Sequence, residues 1–189
     1  MNTANQKRVL ISGASFAGLS TAYWMNKLGY QVTIVEIAES LKKGGTPVNI
    51  LGDTIDIVKH MGLFEQIVSN KLVMQSFEFK NADDITERRD FTQESQAERG
   101  EVEYEIERDV LLLMMYELVK DKVEFIYGES ITSLSESLDQ LNVTFKKGTP
   151  RAFDLVLAAT AFILLSESCG LDRKPNSPVF FKPISRSPL

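Results

Sequence analysis

The 189 residues include one cysteine, one histidine and one tryptophan. A lone Cys169 cannot close an internal disulfide, and its company of a single imidazole, His60, puts the usual Cys/His zinc set out of reach. That cysteine usage fits a reducing compartment, so a cytoplasmic location is expected. No apolar run reaches membrane-spanning length, and no membrane partner is expected. Lys7-Arg8 before an apolar stretch imitates the start of a signal peptide, but Ser12, Gly13, Ser15 and Gly18 interrupt that stretch. Positive charge is also short. The net charge of −5 leaves no cationic surplus for a nucleic-acid backbone, and none is expected as a partner. Proline is scarce through residue 159, with only Pro47 and Pro150, whereas Pro175, Pro178, Pro183 and Pro188 crowd the remainder.

What is present suits a globular domain, or a domain plus a remnant: 43% hydrophobic and 25% charged residues are enough to bury a core. Residues 83–109 carry eleven acids against four bases, a run expected to be a solvated loop or edge hairpin. Residues 8–12 form a β-branched apolar run that ends at glycine. Over 17–29 the apolar residues Leu19, Ala22, Tyr23, Met25 and Leu28 recur at helical steps, and Gly29 closes the helix. Residues 31–36 read as a second strand, completing a βαβ unit. Further along, the pattern predicts a helix from Asp53 to Met61, strands at 72–80 and 102–107, and a helix over 108–120. A strand at 123–127 is followed by three strand-like runs at 130–134, 141–146 and 152–157. The fold class is α/β: a Rossmann-type domain with a parallel sheet, residues 8–12, 31–36 and 123–127 as neighbours, and an appended antiparallel meander.

The segment Gly13-Ala14-Ser15-Phe16-Ala17-Gly18 carries the first and third glycines of the dinucleotide fingerprint, with Ser15 in the second place. Gly13 permits the tight turn out of the strand. Position 15 must be small for backbone amides to approach a pyrophosphate at the helix start, and Gly18 lets helix and strand pack closely. Serine weakens the motif, but its context restores it. The segment follows a strand, opens a helix, and is answered by Glu36 at the end of the next strand, 18 residues past Gly18. An acid there accepts hydrogen bonds from a ribose and disfavours a 2′-phosphate, so FAD or NAD fits better than NADP.

Val9 to Leu19 (VLISGASFAGL) and Gly29 to Glu36 (GYQVTIVE) resemble the opening of the para-hydroxybenzoate-hydroxylase-like FAD monooxygenases, most of all the branch with the tetracycline-inactivating monooxygenases. Gly44-Gly45 with Gly52 resembles the segment passing near the flavin ring. Glu107-Arg108-Asp109-Val110-Leu111 resembles the family's Arg-x-x-Leu, and Asp154 to Ala158 its returning strand. The likeness covers residues 8–158 and implies an FAD-binding domain, 1–159, ending before the substrate domain. It further implies FAD as cofactor, NAD(P)H as reductant, and hydroxylation of an aromatic or polyketide-like small molecule. Gly13, Ser15 and Gly18, with Ala14, Phe16 and Ala17 between them, would face the FAD pyrophosphate, and Glu36 the adenosine ribose. Arg108 would lie beside flavin and pyrophosphate, with Gly44 and Gly45 near the ring. His60 is expected to be an exposed helix residue, and Tyr23 and Trp24 to pack. No residue of this stretch is expected to be catalytic.

Where the family has Asp-Gly-x-x-Ser-x-x-Arg, this chain has Thr160 to Cys169. Bases that encode Ala159 to Cys169 can spell Asp-Gly-Ile-His-Ser-Thr-Val-Arg-Lys-Leu in the neighbouring frame. Residues 160–189 are therefore expected to be an irregular, frameshifted tail; a divergent proline-rich terminus is the alternative. Three functions remain open at this level. They are an incomplete monooxygenase inactive alone, a stand-alone dinucleotide-binding module completed by a partner chain, and a simple NAD(P)-dependent reductase. The last is weakest, for want of a clear acid–base constellation.

Overall fold

A computed structural model describes residues 6–73, 76–80, 86–90, 103–137 and 140–159. They divide into two compact units, one made of the chain up to Lys42 together with the chain from Tyr116 on, the other of Lys43–Met115. The expected tail, 160–189, with Cys169, lies outside the described residues.

The first unit is organised by β1 (Arg8–Ser12), whose interior residues Val9, Leu10 and Ile11 are all fully buried. Burial of each such side chain contributes roughly 1.5–3 kcal/mol. β1 lies between β2 (Gln31–Glu36) and β11 (Leu155–Ala158), and β7 (Glu124–Tyr127) flanks β2, all parallel. The three strands expected as parallel neighbours are neighbours. Between β1 and β2 runs α1 (Phe16–Lys27), closed at Gly29 with φ 88°: Gly29 N donates to Asn26 O and Tyr30 N to Met25 O. This paired capping pattern requires a left-handed residue and explains the glycine. Leu28, read as part of the apolar face, is instead the C-cap and 72% exposed.

β8 (Ile131–Glu136), β9 (Leu141–Phe145) and β10 (Arg151–Phe153) form the antiparallel meander. Its Leu134, Val143, Phe145 and Phe153 pack with Leu10 and Val35 of the parallel sheet. The run at 152–157 is two strands rather than one. At Asp154 the chain leaves the meander and enters the parallel sheet as β11. There the Asp154 carboxylate accepts from Arg8 N at 2.6 Å, and Asp154 N donates to Arg8 O at 2.9 Å.

In the second unit β3 (Val48–Ile50) pairs antiparallel with β6 (Tyr104–Ile106). α2 (Asp53–His60) ends at Gly62, φ 76°, and Leu63 N reaches back to Val58 O. Val58 and Leu63 are both buried at this turn, after which α3 (Phe64–Ser69) begins. β4 (Ser76–Lys80) and β5 (Thr86–Asp90) pair antiparallel; residues 83–85 and 91–102 of the acidic run lie outside the described set. The last helix among the described residues, α4 (Arg108–Val119), belongs to this unit up to Met115 and to the first unit from Tyr116; it buries Leu111, Leu112, Met115 and Val119.

Candidate nucleotide site

The end of β1 becomes a turn in one residue. Gly13 N still donates to Val35 O at 2.8 Å, but Gly13 has φ 105°, a conformation L side chains rarely adopt. Ser15 is the N-cap of α1: its carbonyl accepts the first helical bond from Leu19 N, and its hydroxyl accepts from Gly18 N at 3.4 Å. Phe16 and Ala17 form the first turn. A Cβ on Gly18 would stand 1.9 Å from the Gly13 carbonyl oxygen, so only glycine lets the helix lie this close to the turn. The first turn of α1 carries no acid, leaving the partial positive charge of the helix start uncompensated by its own side chains. These features fit a phosphate-bearing ligand.

Glu36 closes the site from β2. Its Oε2 accepts from Ala14 N at 2.7 Å, and its Oε1 accepts from Ala38 N at 3.0 Å. Each carboxylate oxygen keeps further acceptor capacity for a hydroxyl. Glu36 is paired across the sheet with Tyr127, which stacks on Phe125 with ring centroids 5.7 Å apart. Burial, followed by Tyr116 and Glu36 nearby, pushes the Tyr127 phenol up to about 12, so it stays protonated. Sequence reasoning passed over Tyr127; its clue is its place at the end of the third parallel strand, level with Glu36.

A second overlooked acid is Glu129. It is buried, and its carboxylate accepts from Ser130 N, Lys147 N and Gly148 N at 2.7–3.1 Å. Burial alone would raise its pKa, but the backbone donors outweigh it and hold the group below the usual carboxylate range. Its work is structural: it fixes the turn after β9.

Gly44, Gly45 and Arg108 come together in the second unit. Arg108 Nη1 donates to Gly44 O at 3.2 Å, and Gly44 N donates to the Asp109 carboxylate at 2.8 and 2.9 Å. Gly45, at φ 118°, has the Arg108 side chain against it; a Cβ there would stand 2.6 Å from Arg108 Cδ. Arg108 and Asp109 thus clasp the glycine pair from the start of α4. Asp109 was read only as part of the motif.

Elsewhere the outcome is plain. His60 is exposed on α2, with Nδ1 2.7 Å from Asp56 O. Tyr23 and Trp24 pack edge-on at 5.1 Å, with Lys27 over both rings. Two tyrosine–lysine pairs at four-residue spacing exist, Tyr23/Lys27 and Tyr116/Lys120. The first is that ring contact, and Lys120 pairs with Glu117 at 2.5 Å, so neither lysine is poised as an acid–base partner. Among the described residues no His/Cys/Asp/Glu group could hold a metal, and no helix is long and apolar enough to cross a membrane.

No protein-family model matches the chain. An uncharacterized protein of Mycobacterium tuberculosis is 35% identical over 156 residues, 81% of this chain and 41% of that protein. A flavin-dependent monooxygenase from an unknown prokaryotic organism is 31% identical over 153 residues, 81% of this chain and 39% of that protein. Among solved structures, the tetracycline destructase Tet(55) superposes with a TM-score of 0.70 at 30% identity, over 82% of this chain and 38% of that one. A 2-methyl-3-hydroxypyridine-5-carboxylic acid oxygenase, at 15% identity and a TM-score of 0.61, shares the fold. The chain spans about two fifths of the length of the relatives it matches. The chain is similar to a flavin-dependent monooxygenase and to a tetracycline destructase over a part of their length.

Proposed function

We propose that the chain is the FAD-binding part of a flavin-dependent monooxygenase. The observation that carries this reading is the Gly13–Gly18 turn at the start of α1, with the Glu36 carboxylate fixed 2.7 Å from Ala14 N. The residues fit the group. The amides around Ser15–Ala17 and the helix start receive the pyrophosphate, and Glu36 takes the ribose hydroxyls. A carboxylate in that place repels a 2′-phosphate, which favours FAD over NADP. Gly44, Gly45 and Arg108 are assigned to the flavin-proximal side on the strength of the family resemblance. When bound, FAD supplies the redox chemistry, and this chain supplies binding and orientation.

The whole enzyme takes its electrons from NAD(P)H and hydroxylates an aromatic or polyketide-like small molecule. This chain, two fifths of such relatives in span, binds the cofactor and does not turn over alone. Two measurements test the reading. Titration of the purified chain with FAD is expected to give saturable quenching of flavin fluorescence; a linear, unsaturable response overturns it. NADPH consumption is expected to stay at the background of free FAD whatever small aromatic is added, and substrate-dependent consumption would overturn the second part.

A further inference from the structure

Position 15 holds serine where the fingerprint has its second glycine, and the motif asks only that the residue be small. In the structure its hydroxyl has two partners. Oγ donates to the Ala159 carbonyl at 2.8 Å and accepts from Gly18 N at 3.4 Å. The backbone at Ser15 is extended, φ −88° and ψ 179°, so the freedom of glycine is not needed there. Ala159 N in turn donates to Ser12 O at 2.8 Å, carrying the β1–β11 ladder one step past its last paired residues. One hydroxyl therefore joins the start of α1 to the end of a strand 144 residues away.

We propose that Ser15 is a positioning residue of the nucleotide site, its hydroxyl clamping the phosphate turn to the end of β11. The inference rests on the nucleotide reading above and deepens it. The turn is held on one flank by Glu36, through Ala14 N, and on the other by Ala159, through Ser15 Oγ. Between these anchors lie the amides that a pyrophosphate must meet, and their fixed geometry is what a preorganised anion site needs. Size and hydrogen bonding are separable at this position. Glycine and alanine are small but lack the hydroxyl; threonine keeps it and keeps the N-cap.

The test uses the full chain and its Ser15→Gly, Ser15→Ala and Ser15→Thr variants, with FAD followed by fluorescence and ADP and adenosine by calorimetry. The Ala variant is expected to bind FAD and ADP about five- to tenfold more weakly, the effect of losing one cap and one hydrogen bond. The Gly variant should bind them about three- to fivefold more weakly, because glycine still serves as a cap and only the hydrogen bond to Ala159 is lost. The Thr variant should stay within about threefold of the unaltered chain, because its hydroxyl is retained. Adenosine, which lacks the pyrophosphate, should bind the Gly and Ala variants as it binds the unaltered chain. Equal ADP affinity in the unaltered, Gly and Ala proteins overturns the clamp and leaves the nucleotide reading standing. So does a loss of the same size for adenosine and ADP, which marks a general structural defect. An unaltered chain that binds neither FAD nor ADP overturns both.

Discussion

The carboxylate of Glu36 lies 2.7 Å from the amide of Ala14, which makes the acid at the end of β2 and the glycine turn at the end of β1 one hydrogen-bonded assembly. Glu36 thus holds the turn itself, beside the ribose contact that the proposed function gives it. Glu36→Ala is expected to weaken FAD binding by roughly 1–3 kcal/mol, the loss of charge-assisted hydrogen bonds. It should also lower the melting temperature of the ligand-free chain, because the Ala14 and Ala38 amides lose their acceptor. A melting curve that does not move would separate the acid from the turn and refute that hold.

Gly18 offers a sharper case. The atom that a side chain would strike is the backbone oxygen of Gly13, not the movable tip of a side chain. Gly18→Val must shift α1 away from the turn, at a cost of at least ~1–3 kcal/mol of stability. Denaturant unfolding of the variant should show that loss, and flavin titration should show no saturable binding. Wild-type affinity in Gly18→Val would mean that the helix start is not where the pyrophosphate lies.

Gly45 and Asp109 test the clasp in the second unit. Gly45→Ala meets both a positive φ and the Arg108 chain, and backbone strain of this kind costs roughly 1–3 kcal/mol. Asp109→Asn keeps the shape but weakens the bond from Gly44 N. Limited proteolysis should cut both variants faster near residues 42–46 than the unaltered chain. Unchanged cleavage would refute the clasp.

Acid dependence is expected from Glu124, which links sheet and meander. Arg151 donates to it through two nitrogens at 3.0 and 2.8 Å, and Thr33 adds a third bond at 2.9 Å. The Arg151 contact, against some opposing burial, holds its pKa below the usual carboxylate range. A depressed carboxylate stabilises the fold fully above its unfolded pKa of about 4.3, and that contribution disappears as pH falls through the lower folded value. Glu124→Gln should therefore melt below the unaltered chain at pH 6–7, with the two curves converging on acidification below about pH 4. A difference that persists undiminished at low pH would assign the effect to packing instead.

Much of this architecture could be read from residue order, and the failures have physical causes. Gly29 and Gly62 announce helix ends because each supplies the positive φ its cap requires, and the βαβ unit follows from the switch of apolar period between Ile11 and Leu19. The helix Phe64–Ser69 is too short to display a period, and its start depends on the buried pair Val58 and Leu63. The division of 152–157 is hidden because Ala-Phe-Asp-Leu-Val-Leu reads as one apolar run. Only the bonds between Asp154 and Arg8 reveal the change of sheet. In the site, Gly13, Gly18 and Glu36 were legible because their spacing encodes the geometry. The Ser15 clamp was not, since its partner Ala159 is a backbone carbonyl far along the chain, and neither was Glu129, whose partners are all amides.

The pairing of β1 with β11 sets a schedule for synthesis. Val9, Leu10 and Ile11 take one neighbour, β2, within a few tens of residues, but the other comes only with Leu155 to Ala158. At a ribosomal rate of about 5–20 residues per second, one edge of this buried strand waits roughly 7–30 s for its partner. An unpaired apolar edge is a template for pairing with another chain. Recovery in soluble form should thus depend on how fast the segment between Ser12 and Ala158 is translated, and slow codons there would cost more yield than the same codons placed before Arg8.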